Sequence, residues 1–460
     1  MTMARSFDAI IIGAGQAGPS LAGRLTAAGM TVALVERQFL GGTCVNTGCM
    51  PTKTLVASAR VAHQARRAAD YGVVLNGSIG IDFPRVMARA HKVTETSRGN
   101  LERWIGGMDR MTLLRGHARF EQPNVLRVGD EAITAPRIFI NVGGRANVPD
   151  MPGVGDIDYL TNTSILQLDT LPQHLVVIGG SYIGLEFAQM FRRFGAEVTI
   201  VEREPRLIAR EDEDVSDTLR TILEAEGINV RTNANCIAFA RHTDGVAVKV
   251  DCTSGAPEIM ASHVLLAVGR RPNTDDLGLD KAGVNMDKRG YITVDDTLAT
   301  NVPGIWAMGD CNRRGAFTHT AYNDFEIIAA NLLDGDHRSL SSRTLGYALY
   351  TDPPLGRVGM TETQARASGK PLLISKRPMS RVGRAVERDE TQGFMKVVAD
   401  AKTHRILGAA ILGISGDEAI HGILDLMNAD QPYETLKWAV PIHPTVSELL
   451  PTLVGDLKPG

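Results

Sequence analysis

The sequence predicts an α/β protein in which a βαβ unit with a Gly-rich turn occurs twice, followed by a smaller α+β region. Three observations carry this expectation. Two stretches look like copies of one another, AIIIGAGQAGPSLAGRLTAAGMTVALVER from Ala9 and LVVIGGSYIGLEFAQMFRRFGAEVTIVER from Leu175. Glycine is in excess, 47 of 460 residues against an ordinary ~7%, while aromatics are only 5%, the balance expected where tight strand-to-helix turns recur. Beyond about Ser342 the repeats stop, and strand signals at Arg357 to Met360, Gly393 to Ala399 and Ile406 to Leu412 precede a helical stretch from Glu418 to Met427.

A chain of this length holds three or so domains at roughly 100–200 residues each. Its hydrophobic fraction of 43% and charged fraction of 22% are those of a soluble globular protein. With Lys+Arg 49 against Asp+Glu 52 the net charge is −3, so no basic surface points to nucleic acid and no acidic tail to a basic partner. The apolar run Ala9 to Ile12 is cut short by Gly13, which suits a buried parallel strand and not a signal peptide. No run reaches the ~18 apolar residues of a membrane-spanning helix. Five cysteines, Cys44, Cys49, Cys236, Cys252 and Cys311, are too few and too unevenly placed for a secreted disulfide framework, which makes a reducing cytoplasm the expected compartment.

Each copy reads strand, Gly-rich turn, helix of about 12 residues, Gly, then a β-branched strand ending in Glu, the Rossmann-like βαβ unit. Gly13 to Glu36 and Gly179 to Glu202 both span 23 residues, close to the ~20 expected between the first fingerprint glycine and a ribose-binding acid. Gly13, Gly15 and Gly18 complete GxGxxG in the first copy, with Glu36 placed for ribose hydroxyls. In the second, Gly179 and Gly184 frame the turn, Ser181 replaces the middle glycine and Glu202 closes the unit. Two such units imply two nucleotides, and an enzyme holding both passes hydride from a nicotinamide to a flavin. After the second copy come short strands up to Val268, then an apolar run, Ile305 to Met308, that reads as a strand returning to the first domain. Asp352-Pro353-Pro354 and the stretch at Gly335 read as linkers.

Between the first copy and its next helix lies Gly41-Gly42-Thr43-Cys44-Val45-Asn46-Thr47-Gly48-Cys49-Met50-Pro51-Thr52-Lys53. Five steps on an ideal helix turn about 500°, so the thiols of Cys44 and Cys49 fall on different faces unless the first turn is distorted, as Gly48 and Pro51 allow. Two buried cysteines near a turn are the plain alternative. A helix start stabilises thiolate, and two thiols this close in a reducing compartment suit redox cycling better than packing.

The whole pattern resembles the pyridine nucleotide-disulfide oxidoreductases, the family of glutathione reductase, dihydrolipoamide dehydrogenase and mercuric reductase, over essentially the full chain. The motif GGTCVNTGCMPTK carries the likeness with Ala267-Val268-Gly269-Arg270-Arg271-Pro272-Asn273-Thr274 and Met308-Gly309-Asp310. The resemblance implies an FAD-binding domain from 1–148 and 272–342, an NAD(P)H-binding domain from 149–271 and a dimerisation domain from 343–460. It implies that Cys44 meets substrate and that Cys49 makes the charge-transfer contact with the flavin. Lys53 would pair with Glu186 beside the flavin N5, Asp310 would accept the ribityl chain, and Gly42, Thr43 and Gly269 would lie against the cofactors. Tyr182 would cover the flavin until the nicotinamide arrives. Taken alone, Lys53 and Glu186 could be surface charges and Tyr182 a core aromatic. His443 in His443-Pro444-Thr445-Val446-Ser447-Glu448 matches the acid-base histidine, oriented by Glu448 and reaching the dithiol from the other subunit of a homodimer. His319 falls where the family's chain passes the flavin.

The expected activity is transfer of hydride from NADH or NADPH through FAD to Cys44/Cys49 and on to a small disulfide or similar acceptor. The phrases Asn141-Val142-Gly143-Gly144-Arg145, Arg210-Glu211-Asp212 and Asp352-Pro353-Pro354-Leu355-Gly356-Arg357-Val358-Gly359, with Ser181, look closest to the mercuric-reductase-like branch. A mercuric reductase proper has a C-terminal cysteine pair, whereas here the last cysteine is Cys311, and it lacks the His-Glu dyad. The alternatives are a metal-ion (Hg or Cu) reductase, a flavoprotein delivering electrons to quinones or oxygen, and a component docked in a larger complex. Glu202 favours NADH, while Arg203 and Arg206 leave a 2′-phosphate possible.

Overall fold

The structure, a computed structural model, describes residues 4–251 and 255–460; Cys252 lies outside the described residues. The first βαβ unit builds a five-stranded parallel sheet in the order Ile305–Ala307, Ile138–Ile140, Ala9–Ile12, Val32–Glu36, Met111–Arg115. Strands such as AIII and VALVE lack polar alternation because both faces of the sheet are covered. Ile305–Ala307 pairs with Ile138–Ile140, so the run after the second unit does return to the first sheet.

The second copy builds a second five-stranded parallel sheet, Tyr159–Leu160, His263–Leu266, His174–Ile178, Glu197–Val201, Asn229–Arg231. His174–Ile178 holds the central place that Ala9–Ile12 holds in the first, with its own helix, Tyr182–Phe194, and partner strand on the same side. The duplication read in the sequence is therefore a duplication of topology. A two-stranded ribbon, Gly144–Ala146 against Arg270–Pro272, carries the chain out of the first sheet and back.

The C-terminal region forms a six-stranded antiparallel sheet, Gly346–Leu349, Leu355–Gly359, Ile406–Leu412, Phe394–Asp400, Leu372–Pro378, Lys458–Pro459. Its strands match the expected ones within a few residues, and the expected helical stretch is split into Gly416–Ala419 and His421–Asn428. Leu349, Leu355, Phe394 and Leu412 of this sheet share a core with Phe187, Phe191 and Phe194 of the second unit and with Leu55 and Phe83 of the long helices Cys49–Arg66 and Phe83–Gly106. Asp352 is not in a linker. Its carboxylate pairs with Arg60 and with Arg193 Nη1 at 2.5 Å, and its backbone N–H donates to Gln189 Oε1 at 2.8 Å. Asp-Pro-Pro marks a turn in any setting; charge pairing across three elements is what buries this one. Among the described residues no helix is long and apolar enough to cross a membrane.

Candidate active site

The two Gly-rich turns are built alike. Gly13 and Gly179 have φ of 104° and 111°, open to glycine and strained for other residues, and a Cβ there would stand 2.3 Å from Asn141 O or 2.5 Å from Ala267 O. A Cβ on Gly18 or Gly184 would stand 2.3 or 2.2 Å from the carbonyl of the first glycine, so each helix rests directly on its turn. Glu36 accepts the N–H of Ala14 at 2.9 Å and of Gln38 at 2.8 Å; Glu202 accepts those of Gly180 at 2.5 Å and Glu204 at 2.8 Å. Each carboxylate is thereby fixed at its strand end, facing the turn. Ser181 is exposed and in extended backbone just before its helix, so a hydroxymethyl fits where the first copy has Gly15. Arg203 and Arg206 pair with Glu204 and Glu213, both at 3.1 Å. Gly269, at φ 108°, accepts Asn147 N–H and has open space where a Cβ would be.

A cleft of about 860 Å³ is lined both by the first turn and by the thiols. Gly13, Gly15 and Glu36, then Gly42, Thr43, Cys44 and Cys49, and also Lys53, Tyr182, Glu186 and Asp310 face it. Gly18, Gly179, Gly184, Glu202 and Gly269 lie outside it, as do His443 and Glu448. The distortion expected of the dithiol segment is a break between two helices. Cys44 sits in Gly42–Asn46, and Cys49 opens Cys49–Arg66 after Gly48, whose Cβ would strike Thr43 O at 2.9 Å.

The break brings the Cys44 thiol beside Cys49. Interaction with Cys44, Thr318 Oγ1 at 3.3 Å and the nearby Lys53 charge lower the Cys49 pKa below that of an ordinary thiol despite burial. The same interaction, with desolvation, raises Cys44. Of the two thiols Cys49 is the one favoured as thiolate. Cys311, by contrast, is fully buried and pushed up to about 12 by desolvation, an inert core thiol.

Lys53, one turn after Cys49, places Nζ 2.7 Å from Glu186 Oε2, and Glu186 Oε1 accepts Tyr350 N–H at 3.0 Å. Nζ also stands 4.6 Å from the centre of the Tyr350 ring. Asp310 has only Arg270, with Nε at 3.6 Å, and no protein hydrogen bond to its carboxylate among the described residues; burial raises its pKa. A cleft-facing carboxylate without a donor, a turn open to close approach by pyrophosphate and a cavity of this size fit a flavin dinucleotide.

Sequence reading alone did not assign Glu211, Tyr347 and Arg357. Tyr182 donates to Glu211 Oε1 at 3.2 Å, Tyr347 donates to the same oxygen at 2.6 Å, and Arg357 holds the other oxygen with Nε at 2.9 Å. Arg210-Glu211-Asp212 is conspicuous in the sequence only as a phrase, because Tyr347 and Arg357 come from two strands far along the chain. His443 and Glu448 form their pair, Nδ1 to Oε2 at 2.8 Å, on the surface of the C-terminal region. Glu448 is largely buried there and the imidazole is 79% exposed, beside exposed Trp438, Val440 and Ile442. One chain does not bring this pair to the thiols.

Residues 7–324 match the family described as pyridine nucleotide-disulphide oxidoreductase, and residues 346–454 match its dimerisation domain. Over 460 residues the chain is 36% identical to a probable pyridine nucleotide-disulfide oxidoreductase, RclA, of Escherichia coli, covering 98% of this chain and 99% of that one. It is 33% identical to a dihydrolipoyl dehydrogenase of Thermus scotoductus, covering 96% of each. It is also 34% identical to a mercuric reductase of Bacillus cereus, covering 94% of this chain and 70% of that one. The solved structure of the HOCl-induced flavoprotein disulfide reductase RclA from Escherichia coli superposes with a TM-score of 0.89 at 36% identity, over 98% of this chain and all of that one. Likeness of this depth over nearly the whole of both chains shows common descent: the chain belongs to the pyridine nucleotide-disulphide oxidoreductase family and is an FAD-dependent, NAD(P)H-using oxidoreductase.

Proposed function

We propose that the enzyme reduces a small disulfide, that Cys44 is the thiol that meets it, and that Cys49 faces the flavin. The observation that carries this reading is the pair of thiols lining one cleft, Cys49 opening a helix with Sγ 3.3 Å from Thr318 Oγ1 and lying one helical turn from the Lys53–Glu186 pair. When bound, FAD would supply two-electron chemistry that links nicotinamide to the dithiol. Lys53, held by Glu186, keeps positive charge beside Cys49 and would present it to the flavin, and Asp310 would accept a hydroxyl of the ribityl chain. Glu36 would orient the ribose of FAD and Glu202 that of the nicotinamide dinucleotide.

In the reduced enzyme Cys44 carries the proton of the pair and needs a base before it can attack. His443 of the partner subunit, fixed by Glu448, is that base. Cys44 sulfur then bonds to one substrate sulfur and the other leaves as a thiol, taking the proton from the imidazolium. Cys49 thiolate attacks Cys44 sulfur, expels the second substrate sulfur as a thiolate that takes a proton from solvent, and closes the Cys44–Cys49 disulfide. The balance is one substrate disulfide, the Cys44 thiol, the Cys49 thiolate and one proton giving two thiols and the enzyme disulfide. The C-terminal region, by its match to a dimerisation domain and its exposed histidine, fits a homodimer, and the few, unevenly placed cysteines fit a reducing cytoplasm.

A metal-ion acceptor is the second reading. The mercuric reductase relatives favour it, as does the solved structure of the Escherichia coli RclA described as a Cu(II) complex. The His443–Glu448 pair favours the disulfide, since a soft metal bound by thiolates needs no proton donor. The test is to react reduced Cys49→Ser enzyme with a small aromatic disulfide and locate the adduct by mass spectrometry. A mixed disulfide on Cys44 is expected; an adduct elsewhere, or none, contradicts the assignment.

A further inference from the structure

We infer that Glu211 is a positioning residue that latches Tyr182 in its closed place, and that Tyr347, a second donor on the same oxygen, lets the latch release. The inference rests on the reading that Tyr182 covers the flavin.

Glu211 has no exposed side-chain surface, and Arg357, equally buried, fixes its Oε2. Burial opposes the Arg357 charge, but Glu211 more than offsets this and the guanidinium pKa is raised. Oε1 is shared unequally, with Tyr347 at 2.6 Å and Tyr182 at 3.2 Å. A buried acceptor left without a donor carries a large penalty, so a side chain that must move cannot be its only partner. Because Tyr347 remains on Oε1, Tyr182 can leave without exposing such a vacancy.

The packing is as unequal as the hydrogen bonds. The Tyr347 ring stacks on Phe317 at 5.4 Å and 8°, and Phe317 stacks on His319 at 5.4 Å and 12°. Tyr182 meets Tyr347 only edge-on, at 5.6 Å and 84°. It opens the helix Tyr182–Phe194 and lines the cleft. Burial and the Glu211 charge raise the pKa of both tyrosines, so both stay hydroxyl donors at neutral pH. The latch joins the second dinucleotide unit, through Glu211, to the C-terminal sheet, through Tyr347 and Arg357.

The test uses holoenzyme in five forms: unmodified, Tyr347→Phe, Tyr182→Phe, the double variant of these two, and Tyr182→Ala. Two readouts are taken. One is the concentration of NADH or NADPH, whichever reduces faster, that half-saturates flavin reduction in stopped flow. The other is iodide quenching of flavin fluorescence with no nicotinamide present. In Tyr347→Phe, Tyr182 becomes the sole donor to Oε1. The half-saturating concentration should rise on the order of tenfold, as one hydrogen bond to a charged acceptor shifts a closed population, while quenching falls and the limiting rate changes little. Tyr182→Phe should increase quenching, and the double variant should behave as Tyr182→Phe. An equal rise caused by Tyr347→Phe with and without the Tyr182 hydroxyl would make Tyr347 a packing residue and overturn the latch. Tyr182→Ala leaving both quenching and half-saturation unchanged would show instead that Tyr182 covers nothing, which removes the reading beneath the latch.

Discussion

Lys53 Nζ stands 2.7 Å from Glu186 Oε2, joining the helix that begins at Cys49 to the helix that begins at Tyr182. The two ends of this pair are unequal: the Glu186 side chain is 6% exposed and that of Lys53 33%. Lys53→Met should destabilise the protein by about 1–3 kcal/mol, because Glu186 is left buried and charged without its cation. Glu186→Gln should have the smaller effect, since the amide oxygen still accepts Tyr350 N–H and Lys53 can turn to water. Denaturant unfolding of the two variants checks the order; the reverse order contradicts it.

NADH should be preferred over NADPH. Glu202 is fixed at its strand end by two backbone N–H groups, where a carboxylate accepts ribose hydroxyls and repels a 2′-phosphate. Arg203 and Arg206, which could have held that phosphate, are engaged by Glu204 and Glu213. The ratio of kcat/KM for the two donors measures the preference, and Glu202→Ala should reduce it. A ratio favouring NADPH contradicts the assignment.

Two-electron reduction should give a long-wavelength charge-transfer band from Cys49 thiolate to oxidised flavin, absent in Cys49→Ser. The thiolate is the absorbing form and its pKa is lowered, so the band should be at full strength at pH 7 and fade as pH falls, with a midpoint well below the ~8.5 of a free thiol. A midpoint at or above that of a free thiol, or a band that survives Cys49→Ser, contradicts the placement of the thiols.

Disulfide turnover should require a dimer, while flavin reduction should not. Mixing inactive Cys44→Ser chains with inactive His443→Ala chains should, after subunit exchange, restore part of the activity, because one site in each heterodimer is intact. No recovery with exchange confirmed would place His443 in its own chain's site or outside the reaction.

What the sequence made legible was local. The two βαβ units announce themselves because turn, helix and carboxylate recur at fixed spacing, and the structure gives Glu36 and Glu202 the same hydrogen bonds. Cys44 and Cys49 were visible as a pair, and the Gly48 break that joins them was anticipated as a distortion. Lys53 and Glu186 were matched only through the family likeness, since nothing local pairs residues on two helices. Glu211, Tyr347 and Arg357 were out of reach for the same reason, as was the burial of Asp352, whose Pro-Pro neighbours signalled a turn and gave no sign of Arg60 and Arg193. A buried charge shows its partners only once the chain is folded.

The central claim, that a disulfide is the acceptor and His443 its proton shuttle, is tested most directly by assaying His443→Ala against a small disulfide, Hg(II), Cu(II) and a quinone, each with saturating nicotinamide. A positioned acid-base group contributes roughly 10² to 10⁴ in rate, and only the disulfide generates a thiolate leaving group that must be protonated. The account predicts a loss of about a hundredfold or more confined to the disulfide. Equal residual rates on all four acceptors would contradict it and leave metal ions or quinones as the acceptor.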